Sequence, residues 1–430
     1  MAAPVDIDAG ELTRLVERLR AARGWQAAYN LVQRAECALG LRRPRLAIYD
    51  HALHLVGGGQ KYGCLLAAAL RARGEVTLIA NRPVTTAELE GWYGAEISGV
   101  TVELVELPSV DGEQAQPDPA LLPPGMPNPF TPVSVASGRF DLFVNNSMNE
   151  KVRPRANIAA AVCHFPERRP AGEFYMDRYR PLLYNSEYTA EWIRRRWGLE
   201  PDRRLYPPVE GGPAANADER RPLILSVARF ERAGSKRQLE MARAFVKMRD
   251  LFPHLAGDWR LVLAGGVEPG GNDYLHRVEE VAAGDPAVEI RTNIAATELA
   301  RLYTEASIFW HLCGAGARDP GLCEHFGMTV AEAMRYGLVP VVFDGGGMPE
   351  IVDHGATGYR VADSAGLLER TLALIADRAL RRRLGAAGAE SAARFGLGRF
   401  AAEAREIFDE LLAGYTNGFA ADLERLRDEL

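Results

Sequence analysis

Residues 45–80, RLAIYDHALHLVGGGQKYGCLLAAALRARGEVTLIA, decide the fold. Arg45 to Tyr49 is a short apolar run, Gly57 to Gly59 a glycine turn, Tyr62 to Arg73 a helix, and Glu75 to Ala80 another apolar run. Strand, loop, helix and strand at this spacing make a βαβ unit and therefore a parallel sheet. Further strands are expected at Val100 to Glu106, Asp141 to Asn145, Ile158 to Cys163 and Pro181 to Tyr184. The Pro-rich run from Pro117 to Pro132 reads as a surface excursion between them.

Toward the C-terminus, Pro207-Pro208 and Gly211 to Ala217 read as a linker. A second series of the same kind follows. It comprises Leu223 to Ala228, a helix from Gln238 to Met248, Arg260 to Ala264, Val288 to Arg291, Ala306 to His311 and Val339 to Phe343. The expectation is an α/β protein of two doubly wound parallel-sheet domains, residues 44–210 and 211–410, facing each other across a cleft. Residues 1–43 carry Leu12, Leu15, Val16 and Leu19 at helical spacing and read as a helical extension. Helices from about Gly398 to Tyr415 and from Ala420 end the chain, with 411–430 expected to fold back on the first domain.

A length of 430 residues fits more than one domain. A net charge of -6 argues against a general nucleic-acid binder. Between Lys151 and Arg204, however, 12 Lys or Arg face 7 Asp or Glu, with Arg194-Arg195-Arg196 between Trp192 and Trp197. A solvated helix face is the preferred account; the alternative is peripheral contact with anionic lipid or an acidic acceptor. No apolar run approaches the roughly 20 residues of a bilayer span. Asp6, Asp8 and Glu11 interrupt any signal-like segment, so a cytoplasmic location is expected. Five cysteines without a Cys-x-x-Cys pair make a disulfide framework improbable. His311, Cys313, Cys323 and His325 have zinc-compatible chemistry at a spacing that fits no common zinc module, and a plain loop is expected there.

The segment Glu324-His-Phe326-Gly327-Met328-Thr329-Val-Ala-Glu332-Ala-Met334 carries the most chemistry. Gly327 and Gly337 bracket a short helix that Thr329 is expected to cap, and Thr329-x-x-Glu332 has the form of a capping box. Glu324 stands in the loop before it, where no local backbone need calls for a carboxylate. A carboxylate there can accept hydrogen bonds from sugar hydroxyls, while exposed helix N–H groups serve a phosphate. Val339 to Phe343 leads into Gly345-Gly346-Gly347-Met348-Pro349-Glu350-Ile351-Val352, where three glycines would let backbone approach a ligand. Leu223 to Arg229 followed by Lys236 would set two cations over a diphosphate.

Taken together, these segments resemble the retaining glycosyltransferases of family 4, whose fold is GT-B. The resemblance spans about residues 45–410 and is densest in the second half. It implies that Glu324 hydrogen-bonds the donor sugar, Glu332 holds the ribose hydroxyls, and Arg229 and Lys236 bind the diphosphate. The interval from Arg229 to Lys236 is longer than is usual in the family, which leaves Arg232 or Arg237 as substitutes for Lys236. Gly265, after the strand from Leu261, resembles the family's strand beside the nucleotide. Gly58 and Gly59 resemble its glycine loop facing the donor phosphates, and His164 in Cys163-His-Phe-Pro166 resembles a His that contacts the donor hexose. A dinucleotide fingerprint fails in that glycine loop because Tyr62 stands where glycine is required.

Trp310-His311 and Glu324-His325 are similar to mannosyltransferases that extend lipid-linked oligosaccharides. The implied activity is retaining, metal-independent transfer of a hexose, mannose favoured over others, from a GDP- or UDP-sugar to a glycan, lipid-linked glycan or small hydroxyl acceptor. No bound cofactor or metal is expected, since the cations and helix N-termini can supply the countercharge and Asp6-Ile-Asp8 precedes any strand. A nucleotide-sugar epimerase and a catalytically silent nucleotide-sugar-binding subunit share the same features and stay open.

Overall fold

The computed structural model describes residues 7–110, 113–114, 127–170, 172–212, 220–268 and 270–429. Asp6, most of the Pro117 to Pro132 run and residues 213–217 of the expected linker lie outside them. The chain divides into two compact units. Residues up to Asn185, Thr189–Tyr206 and those from Phe400 onward form the first; Ser186–Tyr188 and Pro207–Arg399 form the second.

The first unit begins with α1 (Ala9–Arg23) and α2 (Trp25–Ala38). Asp8 accepts from the Glu11 N–H at 2.8 Å and caps α1, so this acidic residue has a structural use. There follow β1 (Arg45–Tyr49), α3 (Gly58–Leu70), β2 (Glu75–Ala80), α4 (Thr86–Tyr93) and β3 (Thr101–Leu104). A small antiparallel pair, β4 (Ser109–Val110) and β5 (Glu113–Gln114), precedes α5 (Thr131–Ser137), with Pro132 in its first turn. The unit continues with β6 (Leu142–Asn145), β7 (Ile158–Cys163), β8 (Leu182–Tyr184), α6 (Glu187–Trp197), which belongs to it from Thr189 onward, and β9 (Arg203–Arg204). Helix α3 starts earlier than expected, because Gly58 and Gly59 form its first turn instead of a turn before it.

The sheet order is β3-β2-β1-β6-β7-β8-β9, every pairing parallel. Burial on both faces explains why β1 is apolar from Leu46 to Tyr49 instead of alternating. Leu46 and Ile48 pack on one side with Tyr62, Leu66 and Leu70 of α3, while Ala47 and Tyr49 pack on the other with Phe143 and Trp197.

The second unit comprises β10 (Leu223–Val227), α7 (Gln238–Leu251), α8 (Pro253–Ala256), β11 (Arg260–Gly265), α9 (Asn272–Ala283), β12 (Val288–Thr292), α10 (Ala296–Glu305) and β13 (Ile308–His311). After them come α11 (Met328–Arg335), β14 (Val339–Phe343), α12 (Met348–Ile351), β15 (Tyr359–Val361), α13 (Ser364–Ala376) and α14 (Arg378–Ala392). Its order, β12-β11-β10-β13-β14-β15, is also all parallel. In both units the first strand lies between the second and the fourth long strand, the doubly wound order of a dinucleotide-type sheet.

The last helices, α15 (Leu397–Asn417) and α16 (Phe419–Glu429), belong to the first unit from Phe400 onward, ahead of the position 411 at which the sequence placed the return. Phe400, Ala404, Ile407 and Phe408 enter the first sheet's core, and Phe419 and Leu423 join Leu15, Leu19, Leu31 and Ala35 in a cluster with α1 and α2. Residues 7–43 are therefore packed into the first unit. Asp141, before β6, locks this arrangement. Its side chain is fully buried and accepts from Arg42 at 2.6 and 2.9 Å, from the Arg45 N–H at 2.8 Å and from the Tyr415 hydroxyl at 2.7 Å.

Candidate active site

In the second sheet, β10 and β13 are neighbours from which the chain winds in opposite directions, so a crevice forms beyond their carboxyl ends. The loop leaving β10 is pinned there by Gln238, whose Nε2 donates to the carbonyls of Ala228 at 3.2 Å and Arg229 at 2.9 Å. Gly265 closes against the same backbone: a Cβ on it would lie 1.9 Å from the Ala228 oxygen. That close packing accounts for glycine at 265 without any ligand. Arg229 is exposed, and its guanidinium pairs with none of the described residues. Of Arg232, Lys236 and Arg237 beyond it, Lys236 turns inward. Arg237 caps α7 in a left-handed conformation (φ 61°) and pairs with Glu240, and Arg232 stands exposed.

Glu324 is the centre of the cluster. Its Oε2 accepts from Lys236 Nζ at 2.9 Å and lies 3.1 Å from His311 Nε2. Oε1 makes no hydrogen bond with the described residues. Burial disfavours the charge on Glu324, but the Lys236 ammonium and the His311 hydrogen bond outweigh it and hold the carboxyl well below the usual range. Burial likewise opposes the Lys236 charge, and Glu324 more than restores it, raising the ammonium above its ordinary value. Cys313 Sγ lies 3.5 Å from Lys236 Nζ, and burial pushes its thiol up to about 12. The carboxylate therefore has one oxygen committed and one free. A fixed acceptor of this kind suits a hydroxyl group.

Helix α11 follows directly. Its N-cap is Gly327 (φ 110°) and not Thr329, which sits in the first turn beside Met328. The capping-box expectation therefore fails, and Glu332 instead accepts from the Tyr303 hydroxyl at 3.2 Å. Phe326 is buried and packs edge-on against Phe395 at 5.2 Å, so only its backbone is available to a ligand. Two of the three glycines have a structural use beside the ligand approach expected of them. Cβ atoms on Gly346 and Gly347 would fall 2.1 and 2.4 Å from the carbonyl oxygens of Glu324 and His325, and the Gly347 N–H donates to Glu324 at 2.8 Å. These glycines position the acidic loop by letting backbone meet backbone. Ser186, in the short segment that belongs to this unit, donates to the His325 carbonyl at 2.6 Å from the other side.

The cysteine–histidine group resolves differently from the four residues weighed for zinc. His311, Cys313 and Glu324 each bring a ligand atom within 4.8 Å of one another, while His325 faces the Gly321 carbonyl at 3.1 Å. The Lys236 ammonium already supplies the cation to this set, through its contacts with both Glu324 and Cys313.

In the first unit, the corresponding ends of β1, β6 and β7 carry Asp50, Asn146 and His164. Asn146 Nδ2 donates to Asp50 Oδ2 at 2.8 Å and to the Gly59 carbonyl at 2.9 Å, and Asn146 Oδ1 lies 3.3 Å from His164 Nε2. A Cβ on Gly59 would lie 3.5 Å from the His164 ring, which puts the first turn of α3 beside that ring. Gly58, Gly59 and His164 stand out in the sequence; Asp50 and Asn146 do not. Their signal was available: each is a polar residue directly after a strand that flanks the point where the winding reverses. His311, whose chemistry in the sequence suits zinc, is a partner of Glu324.

The basic stretch is largely engaged within its own unit. Arg194 pairs with Glu200 and Arg195 with Glu191, and Arg196 lies over Phe165 and Trp192 at 5.0 and 5.2 Å. No described helix is long and apolar enough to cross a membrane.

Residues 213–391 match the model of the family described as Glycosyl transferases group 1. A D-inositol 3-phosphate glycosyltransferase of Streptomyces bingchenggensis is 27% identical over 256 residues, 54% of this chain and 53% of that protein. A GDP-Man:Man(3)GlcNAc(2)-PP-Dol alpha-1,2-mannosyltransferase of Dictyostelium discoideum is 28% identical over 195 residues, 41% and 37% of the two chains. The chain thus spans about half the length or less of these relatives. In fold, it is similar to Anabaena HepE, solved in complex with UDP (TM-score 0.63, 15% identity, 85% of this chain and 100% of that one). It is also similar to a sucrose-phosphate synthase of Thermosynechococcus elongatus (TM-score 0.61, 18% identity, 86% and 100%). The family match covers the whole Lys236–Glu324 cluster, from Arg229 through Glu332.

Proposed function

We propose that the chain is a nucleotide-sugar-dependent glycosyltransferase that moves a hexosyl group to a hydroxyl acceptor with retention of configuration and without a metal. The observation that carries this is the half-committed carboxylate of Glu324, held by Lys236 and His311 at the carboxyl ends of β10 and β13. In this reading Glu324 Oε1 accepts from a hydroxyl of the donor hexose, and Glu332 accepts from the ribose. Arg229 and Lys236, with the N–H groups opening α11, receive the charge that builds on the departing diphosphate. Because that countercharge is fixed in the protein, no divalent ion is needed for it. The sugar develops oxocarbenium character as the bond to the phosphate breaks. Retention follows if the departing phosphate oxygen takes the proton of the incoming hydroxyl on the same face.

The names of the relatives support sugar transfer as the class of reaction. The likeness of Trp310-His311 and Glu324-His325 to lipid-linked-oligosaccharide enzymes supports mannose and a lipid-linked glycan acceptor. Trp310 itself is fully buried, donating from Nε1 to Thr371 at 2.9 Å, so any such preference is exerted through His311 and Glu324. The test is a thermal-shift screen of UDP- and GDP-hexoses, followed by NMR of the products formed with glycan and lipid-linked acceptors. The proposal expects a shift with one donor and an axial-to-axial or equatorial-to-equatorial transfer product. Isomerisation of donor incubated alone would indicate an epimerase, and binding without turnover on any acceptor a silent subunit.

A further inference from the structure

Asp50 is a buried carboxylate that the proposed reaction does not use. It ends β1 at 1% exposure and receives only donors: the Ala52 N–H at 2.9 Å, Gln60 Nε2 at 3.2 Å and Asn146 Nδ2 at 2.8 Å. The second N–H of Asn146 goes to the Gly59 carbonyl at 2.9 Å. Both hydrogens of that amide are thus committed to groups that only accept. Turning the amide over would set its oxygen against two other oxygens, so the orientation is determined by the network. Asn146 Oδ1 must then be the atom facing His164 Nε2 at 3.3 Å, and an acceptor there requires a hydrogen on Nε2.

Burial holds the His164 imidazole at about 4, so it carries a single hydrogen at neutral pH. With that hydrogen on Nε2, Nδ1 is a lone pair, and it makes no hydrogen bond with the described residues. The ring is held in place by its own backbone: the His164 carbonyl accepts from Asn185 Nδ2 at 2.9 Å and Thr189 Oγ1 at 3.0 Å, and Tyr62 meets the ring edge-on at 5.2 Å.

We infer that Asp50 and Asn146 are positioning residues that hold His164 as the Nε2–H tautomer and so present Nδ1 as a hydrogen-bond acceptor for a sugar hydroxyl. The hydroxyl rests on the glycosyltransferase reading; the tautomer does not. His164 is accordingly an acceptor for a ligand hydroxyl, and a donor role would need the opposite tautomer.

The test is histidine-selective 15N labelling with two-bond 1H–15N spectra of the full chain, His164 being identified by the signal lost in His164→Gln. The expected wild-type pattern is a protonated Nε2 and a bare Nδ1, and Asn146→Leu should convert it to a mixture. A wild-type Nδ1–H pattern would overturn the inference, as would a pattern unchanged in both Asn146→Leu and Asp50→Asn. The wild-type spectrum, assigned through His164→Gln, decides even if Asn146→Leu or Asp50→Asn fails to fold. In the transfer assay, Asn146→Leu and His164→Gln should lose kcat/KM alike, by about tenfold, the scale of one hydrogen bond. Wild-type kcat/KM in Asn146→Leu would contradict the positioning role. Absence of transfer in every variant, wild type included, would count against the glycosyltransferase reading and leave the spectral result standing.

Discussion

Glu324→Gln keeps the shape of the side chain and removes its charge, and three consequences follow from the geometry. The first is stability. Lys236 and Glu324 are each about four-fifths buried, with side-chain exposures of 20% and 19%. Breaking a buried pair by removing one partner costs about 3–5 kcal/mol; the residual exposure here puts the expectation near the lower end, about 3 kcal/mol. The second is pH dependence. Glu324 has a depressed folded-state value, so its contribution is present above the ordinary carboxylate range of about 4.3 and fades as pH falls through its lower folded value. Lys236 has a raised value, so its contribution is complete below about 10.4 and fades as pH rises beyond that toward its folded value. The difference between wild type and variant should therefore be flat across neutral pH and shrink at both extremes. The third concerns Cys313. Its thiol is raised by burial and by Glu324 and lowered by Lys236, so removing the carboxylate leaves an unshared ammonium 3.5 Å from Sγ and drives the thiol down. Urea unfolding at several pH values and alkylation of Cys313 followed by mass spectrometry read all three. A variant as stable as wild type and no faster to alkylate would refute the assignment of Lys236, Glu324 and Cys313 to one electrostatic unit.

Arg229→Gln should change stability by less than about 0.5 kcal/mol, because the side chain is exposed and without a described partner. Its affinity for a nucleoside diphosphate, by calorimetry, should fall about tenfold to a hundredfold with the lost charge-assisted contact. Gly346→Ala places a Cβ 2.1 Å from the Glu324 carbonyl at φ 61°, so transfer activity should fall further than nucleoside diphosphate affinity. Asp141→Ala removes the buried acceptor of the Tyr415 hydroxyl and of Arg42, which keeps Glu36 at 2.7 Å, and urea unfolding should show a loss of about 1.5–3 kcal/mol, the scale of hydrogen bonds to a charged group. Asp141 is held low by Arg42 against its burial, so its contribution is present above about 3.9 and disappears as pH falls below that. Excess EDTA should leave the transfer rate unchanged if Lys236 and Arg229 supply the countercharge.

Much of this organisation is readable in the chain. Apolar strands such as Leu46 to Tyr49 and Leu223 to Val227, each followed by a helix and another strand, announce parallel sheets because local periodicity and crossover length are sequence properties. Lys236 and Glu324, assigned to one site through spacing that resembles a known family, do meet at 2.9 Å. What escaped was whatever depends on residues distant in sequence. Asp50 and Asn146 meet only once β1 and β6 pair, and His311 turns to Glu324 only once its strand ends beside the acidic loop. For the glycines at 346 and 347 a sequence shows that backbone can come close, without showing that the carbonyls of Glu324 and His325 are what it meets. Thr329 fits the local pattern of a cap, but Gly327 in a left-handed conformation starts the helix two residues earlier. Residues 7–43 read as separable because their partners, Asp141, Phe419 and Leu423, lie 99 or more positions away.

A crystal structure of the chain with a bound nucleotide hexose tests the central claim most directly. The account predicts a hexose hydroxyl on Glu324 Oε1 and the diphosphate on Lys236 and Arg229, with Oε2 still held by His311. Sugar and phosphates bound in the second unit away from Glu324, or a Glu324 that releases Lys236 and His311 to ligate a divalent ion, would contradict it.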